Sequence, residues 1–267
     1  MSDVVVDVPA PGVRRITFDR AERLNTLTHQ FVREMTAVLQ EIGQDQECRV
    51  VVLTGAGRAF SAGLELTGYG DGDLVAAQGE VRRYFTRQSE IAAMVACVHH
   101  LRQPVIAAVN GAAAGAGLAL AAAADIRIAT PGSVFVSAFI RAGYSGCDLG
   151  LSWLLPRIVG AGRAHELMLT GRRFGADEAL RIGFLSDVVE GKRLIGTVLA
   201  KAAEIQRNPP LSVELTKQGM WRALETPGFD ATVDFENRQQ VISALTEDQS
   251  EATAAFLGKR EPSYRFR

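Results

Sequence analysis

Apolar and polar positions along this chain switch between a helical and a strand period, and each switch marks an element. Val4–Val8 and Val13–Phe18 are short β-branched stretches on either side of Pro9-Ala10-Pro11-Gly12, which predicts a hairpin with a Pro/Gly turn. Thr28 precedes Phe31, Met35, Val38, Leu39 and Ile42 at helical spacing, so it is expected to cap a helix that ends near Ile42. Arg49–Thr54, apolar from Val50 to Leu53, and the wholly apolar Val105–Val109 are runs of strand length, as expected of strands buried on both faces. Each run ends in a loop of small residues. The first passes through Gly55-Ala56-Gly57 to Ser61-Ala62-Gly63-Leu64, the second through Asn110-Gly111 to Gly115-Ala116-Gly117. The second loop leads directly into helix-forming Leu118–Ala124. Further helices are predicted over Arg82–His100, Gly150–Val159, Ala164–Leu169, Ala176–Ile182, Lys192–Arg207, Leu211–Glu225, Phe229–Leu245 and Asp248–Leu257. Residues 67–80, with Gly68, Gly70, Gly72 and Gly79, read as the most flexible stretch.

The two small-residue loops carry the first chemical expectation. Gly and Ala leave room for a ligand to approach bare backbone. The first N–H groups of a helix have no internal partner and sit at its positive dipole end. Two strand-then-loop units that converged would offer one N–H each. Two such donors stabilise the oxygen of a thioester enolate or of a tetrahedral intermediate in acyl transfer. A tight turn before a buried Ala-rich helix explains the second loop equally well when it is taken alone.

Beyond these loops the chain resembles the enoyl-CoA hydratase/isomerase (crotonase) superfamily over nearly its whole length. The resemblance rests on Ile16–Arg20, Leu24–Leu27, Val50–Gly63, Pro104–Gly111, Ala124–Ile126, Leu169–Gly171, Ala176–Ala179, Gly183–Ser186, Ala255-Phe256 and Lys259-Arg260. It implies an α/β fold, the crotonase (ClpP-like) spiral of ββα units, with an acyl-CoA-binding core over residues 1–190. Residues 191–267 would form a helical C-terminal region for oligomerisation, giving a homotrimer or a dimer of trimers. The ligand would be an acyl-CoA, with coenzyme A as part of the substrate and no separate cofactor. The stretch around 67–80 matches the substrate-flanking loop and helix that vary within the family.

Composition removes competing classes. The 267 residues hold 29 basic against 30 acidic side chains, a net charge of −1, so no nucleic-acid footprint or membrane-surface attraction is expected. Asp3 and Asp7 stand where a signal peptide needs a basic start and an apolar core. The apolar run 105–124 contains Asn110 and several Gly, and most of the rest is weakly hydrophobic Ala, which argues against a membrane span. Cys48, Cys97 and Cys147 are widely spaced and odd in number, and read as free thiols of a cytoplasmic protein. No cluster has metal-ligand spacing, no phosphate-binding Gly-Lys-Ser/Thr loop occurs, and Gly115-Ala116-Gly117 lacks the dinucleotide pattern.

By the resemblance, Leu64 and Ala116 supply the two oxyanion N–H groups. Ala116 stands where the family often has Gly, which keeps the N–H and adds a methyl. Arg23, Leu24, Ser61, Ala62, Gly63 and Gly115 would line the coenzyme A site. Lys259 and Arg260 would reach its phosphates from a neighbouring subunit, although an exposed basic tail is also an ordinary solvated end. Hydratases of this family carry two facing glutamates. The corresponding positions here are Ala119 and Phe139 (or Ile140), and none is acidic. Concerted addition of water needs a carboxylate to activate it and an acid to protonate carbon, so standard hydration is not expected.

Asp148, in Ser145–Pro156, matches a segment where some family members place an aspartate that shuttles protons or acts as a nucleophile. It is the catalytic candidate, and it also reads as the N-cap of the helix that follows. Glu65 is assigned a structural role. His99 and His100 read as the polar end of a helix, His29 and His165 as surface or helix-start residues, and Tyr69, Tyr84 and Tyr144 as possible substrate contacts. Three functions fit: an isomerase-like enzyme with Asp148 as sole acid/base, a catalytically silent acyl-CoA-binding protein, and an acyl-CoA hydrolase acting through Asp148.

Overall fold

The structure is a computed structural model that describes residues 2–67, 69–70 and 77–265. Gly68 and residues 71–76, within the stretch expected to be flexible, lie outside the described residues. Along the chain come β1 (Val4–Ala10), β2 (Val13–Phe18), α1 (His29–Gln44), β3 (Val50–Gly55), β4 (Ala59–Ser61), α2 (Glu80–His100), β5 (Val105–Val109), β6 (Ala112–Ala114), α3 (Ala116–Ala123), β7 (Ile126–Ala129), β8 (Val134–Val136) and α4 (Leu151–Val159). They are followed by α5 (Ala161–Thr170), β9 (Phe174–Gly175), α6 (Ala176–Arg181), β10 (Asp187–Val188), α7 (Leu194–Gln206), α8 (Pro210–Ala223), α9 (Phe229–Ala244) and α10 (Glu247–Gly258).

The first twelve elements are four strand–strand–helix units, and their repetition makes a spiral. In the first, β1 and β2 form the expected antiparallel hairpin, from Val4 opposite Phe18 to Asp7 opposite Arg15. In the next three, the leading strand enters one sheet and the following strand enters another. The larger sheet has the order β1-β2-β3-β5-β7-β10 and the smaller β4-β6-β8-β9. The leading strands stack in parallel, with Leu53 beside Ile16 and Ala107, and Ala107 beside Arg127. The short second strands stack likewise, Ser61 beside Ala113 and Ala113 beside Phe135. Each corner between a leading strand and its successor therefore lies against the corner of the next turn.

Burial on both faces explains the unbroken apolar runs. Side chains alternate across a strand, so Val51, Leu53, Val105, Ala107 and Val109 join the main core under α1, α2 and α3. Val50, Val52, Ile106 and Ala108 face the opposite side and are closed over by Leu194, Val198 and Ala202 of α7. Helix α1 begins as its spacing predicts: the Thr28 hydroxyl accepts from the Phe31 N–H at 3.1 Å. Helix α3 is buried along its whole length, which is why it carries no polar face.

One buried ion pair ties the C-terminal helices to this core. Asp125, between α3 and β7, accepts from Lys217 Nζ at 2.8 Å, Trp221 Nε1 at 2.9 Å and the Val105 N–H at 2.8 Å. Lys217 also donates to the Gln103 carbonyl at 3.0 Å. Burial pulls the Lys217 ammonium below its ordinary range, and Asp125 opposes that pull. Beyond this anchor α9 has no buried residue, and Phe229, Val241, Ile242, Leu245, Phe256 and Leu257 are exposed.

Removing one partner of a buried pair leaves the other charge stranded. Asp125→Ala is therefore expected to cost about 3–5 kcal/mol of unfolding free energy in urea. A loss below about 1 kcal/mol, the range of an exposed pair, would show that Lys217 finds solvent.

Candidate active site

The site begins where the small-residue loops meet. Gly63 has φ +95°, and a Cβ built there would lie 2.8 Å from the Ala114 carbonyl oxygen and 3.5 Å from the Ala116 nitrogen. A Cβ on Gly117 would lie 2.3 Å from the Ser61 carbonyl oxygen. Any side chain at either position would force the loops apart.

Within this contact, two N–H groups are left over. Leu64 bridges Leu27 in parallel fashion, but the bonds run through its neighbours: Leu27 N–H to the Gly63 carbonyl at 2.8 Å and Glu65 N–H to the Leu27 carbonyl at 2.9 Å. Gly115 adopts φ 50°, ψ −116° and gives its N–H to the Val136 carbonyl at 3.0 Å. Ala116 follows as the first residue of α3, where helix geometry supplies no acceptor. Among the described residues neither the Leu64 nor the Ala116 N–H has an acceptor in the chain.

Two asparagines hold the corners that aim these loops. Asn25, fully buried in left-handed backbone, accepts from the Arg20 N–H at 3.0 Å and donates to the carbonyls of Ala56 at 2.9 Å and Ala59 at 2.8 Å. Asn110 accepts from the Gly55 N–H at 3.2 Å and donates to the carbonyls of Gly55 at 2.8 Å and Gly57 at 3.0 Å. The Ser61 hydroxyl donates to the Asn25 carbonyl at 2.8 Å and accepts from the Gly63 N–H at 3.2 Å. Ala62 gives its N–H to the Leu24 carbonyl at 2.9 Å. Glu65 receives the Arg23 guanidinium at 3.1 Å and the Thr26 hydroxyl at 3.0 Å. Burial pushes the Glu65 carboxyl up, and these donors outweigh it to hold the group below the usual carboxylate range.

Arg23, Leu24, Ser61, Ala62, Gly63, Leu64, Gly115 and Ala116 are thus one connected patch. Lys259 and Arg260 are exposed just past α10. Lys259 ends α10 in left-handed backbone, and Arg260 forks onto Glu251 at 2.6 and 2.7 Å, pulling that carboxyl down to about 2.

Around the patch, the two positions that would need acids for hydration are apolar. Ala119 is buried one turn into α3, and the Phe139 ring approaches to 3.6 Å from where a Gly115 Cβ would stand. Ile140 opens a short 3-10 turn and packs toward Gly171. Asp148 is half-buried and does not cap α4. That role falls to Gly150, which makes no side-chain bond, because Leu149 and Gly150 both take left-handed backbone and turn the chain before the helix starts. The Asp148 carboxylate instead accepts from the Leu149 N–H at 2.8 Å and from Gln88 Nε2 of α2 at 2.5 Å. Gln88 escapes a reading of the sequence. Its only signal is a polar side chain on the α2 face that also carries Ala92, Val95 and His99.

The remaining candidates lie outside this patch. His99 packs edge-on against Trp221, with ring centres 4.5 Å apart, and against Trp153 at 5.7 Å. Burial, then the His100 and Lys217 charges, push its imidazole below the usual range against the opposing pull of Asp125 and Glu225. His29 lies 3.7 Å from Glu90, Tyr69 stacks beneath Arg87 at 4.7 Å, and Tyr84 and Tyr144 are exposed.

The profile of the family described as enoyl-CoA hydratase/isomerase matches residues 10–267. The chain is 39% identical over 268 residues to a protein of Mycobacterium tuberculosis named probable enoyl-CoA hydratase EchA12, covering 99% of this chain and 93% of that one. It is 33% identical to the 1,2-epoxyphenylacetyl-CoA isomerase of Escherichia coli over 99% of each chain. A crystal structure of a probable enoyl-CoA hydratase/isomerase from Mycobacterium abscessus superposes over the whole of both chains with a TM-score of 0.93 at 34% identity.

The depressed His99 group yields a pH dependence with a definite sign. The unfolded chain takes up this proton near 6.5 while the folded chain resists it, so stability falls as pH drops below that value. Thermal unfolding between pH 7.5 and 5.5 is expected to be less pH-sensitive in His99→Gln than in the native protein. Equal sensitivity would mean that His99 charges as freely in the folded state.

Proposed function

Because the chain belongs to the enoyl-CoA hydratase/isomerase family, the crotonase superfamily, we propose that it shifts a double bond within an acyl-CoA, using Asp148 as its one proton carrier. The protein is an acyl-CoA-processing enzyme of the lyase or isomerase type. In this reading the thioester oxygen lies between the Leu64 and Ala116 N–H groups. Negative charge that develops there meets fixed donors that need no reorganisation. With a 3-enoyl thioester, the Asp148 carboxylate takes a proton from C2, the electrons spread to the carbonyl oxygen as a dienolate, and Asp148 returns the proton at C4. The double bond moves from C3–C4 to C2–C3, and no water enters. Gln88 holds the carboxylate toward its work.

The observation that carries this reading is the pairing of two acceptor-free N–H groups with apolar Ala119 and Phe139 where hydration would need acids. The names of the relatives divide between hydratase and isomerase. The two apolar side chains favour the isomerase, because one acid that leaves and returns a proton needs no second carboxylate. Coenzyme A would run over the patch of Arg23, Leu24, Ser61, Ala62, Gly63 and Gly115. Its phosphates would meet Lys259 and Arg260 of a neighbouring copy in a trimer or dimer of trimers, with the exposed apolar side chains of α9 and α10 as the contact. No helix among the described residues is long and apolar enough to cross a membrane.

Turnover of a panel of 2-trans, 3-cis and dienoyl-CoAs tests the proposal. The expected result is isomerisation of a 3-enoyl or dienoyl member, reduced at least about 100-fold in kcat by Asp148→Asn while saturated acyl-CoAs still stabilise the variant. Rapid hydration of crotonyl-CoA would overturn it. So would strong stabilisation by acyl-CoAs with no turnover of any member, which would mark a binding protein.

A further inference from the structure

The direction of the Leu64 N–H is set by the residues on either side of it. Gly63 and Glu65 bond both backbone groups of Leu27, so the Leu64 amide turns away from the Arg23–Leu27 segment. Upstream, that segment is tied to the loop by the Ala62 N–H on the Leu24 carbonyl at 2.9 Å and the Ser61 hydroxyl on the Asn25 carbonyl at 2.8 Å.

Downstream of Leu64 the grip passes to a side chain. Glu65 turns its carboxylate back over the same segment. One oxygen accepts from the Arg23 guanidinium at 3.1 and 3.3 Å and from the Thr26 hydroxyl at 3.0 Å. The other accepts from the Thr67 N–H at 3.4 Å and the Thr67 hydroxyl at 3.3 Å. Bonds to an ionised acceptor are the stronger kind. Thr26 is itself held. Arg20 donates to its carbonyl at 2.6 Å and to its hydroxyl at 3.2 Å. Arg20 also faces Asp3 at 3.5 Å, and Asp3 accepts from the Thr28 hydroxyl that caps α1 at 2.9 Å. A line of polar contacts therefore runs from the start of α1 to the residue beside the donor. Exposure separates the two ends of the ion pair. The Glu65 side chain is 9% exposed and that of Arg23 52%, so the carboxylate shapes the loop while the guanidinium stays open to a ligand.

We propose that Glu65 is a positioning residue of the thioester site: its carboxylate clamps the Leu64 peptide to the Arg23–Leu27 segment and so aims the Leu64 N–H at the thioester oxygen. The inference rests on the reading of Leu64 and Ala116 as the thioester site, and it adds the side chain that directs one of the two donors.

Carbon-13 NMR of acetyl-CoA labelled at the thioester carbon, bound to the full chain, reads how strongly the carbonyl is polarised. Calorimetry with coenzyme A alone reads the rest of the site. The native protein is expected to move the labelled resonance downfield of its position in free acetyl-CoA. Glu65→Ala is expected to keep less than about half of that shift, because one of the two donors is misaimed. Its affinity for coenzyme A is expected not to fall, since Arg23 keeps its charge. Glu65→Gln has the same size and guards against a folding defect. It can still accept from Thr26 but has no charge to set against Arg23, so its shift is expected to lie between the other two. A full native shift in either variant would overturn the assignment and leave the thioester site standing. A loss of shift matched by a loss of coenzyme A affinity would overturn it as well, as the mark of a loop that has merely loosened. A native resonance at the free position would remove the thioester site and the clamp together.

Discussion

Contact between the Gly63 and Gly117 backbones and the neighbouring loop is the constraint on which the site depends. The Ala114 and Ser61 carbonyls stand where a Cβ on either glycine would have to go. That closeness sets the spacing of the Leu64 and Ala116 nitrogens, so the geometry of the two donors is a consequence of backbone packing and not of side-chain choice. The contact is held from behind. Gly55 lies under the Ala59 carbonyl and Gly111 under the Arg58 carbonyl, each so near that a Cβ would stand 2.1 Å from the oxygen. Asn25 and Asn110 then satisfy the carbonyls that these tight corners would otherwise leave bare. Buried polar groups must be paired, so the same bonds that make the corners affordable also fix their direction.

The rest of the fold serves to stack those corners. Parallel pairing of β3 on β5 and of β4 on β6, the latter with a register shift between Ala59 and Ser61, places one corner on the next. Helix α3, built from Ala, Gly and Leu, is small enough to lie wholly inside and to bring its first turn to the contact. Asp125 marks the end of that helix and is where α8 is pinned through Lys217 and Trp221. His99 packs against the same Trp221, so α2 also leans on the anchor of the C-terminal helices.

Much of this architecture is legible in the sequence, because periodicity reports burial. The hairpin, the Thr28 cap, the doubly buried strands and the helices were each marked by spacing, and the structure differs from those expectations by a few residues at element ends. The small-residue loops are equally visible, since only close approach rewards runs of Gly and Ala. Partnership across the chain is not visible in this way. Nothing local to Asp148 announces Gln88, sixty positions earlier. The N-cap expectation for Asp148 failed because consecutive left-handed residues at Leu149 and Gly150 delay the helix. Arg260 reads as a free cation until Glu251 is found beside it, and His99 reads as a helix end until the two tryptophans close over it.

The central claim is that Leu64 and Ala116 together polarise a thioester carbonyl. Isotope-edited infrared difference spectroscopy of a saturated acyl-CoA, labelled with carbon-13 at the thioester carbon and bound to the native protein, measures that directly. The account predicts a carbonyl stretch at lower frequency than in the free thioester, as two fixed N–H donors withdraw bond order from it. A bound carbonyl that absorbs at its free frequency would contradict the account.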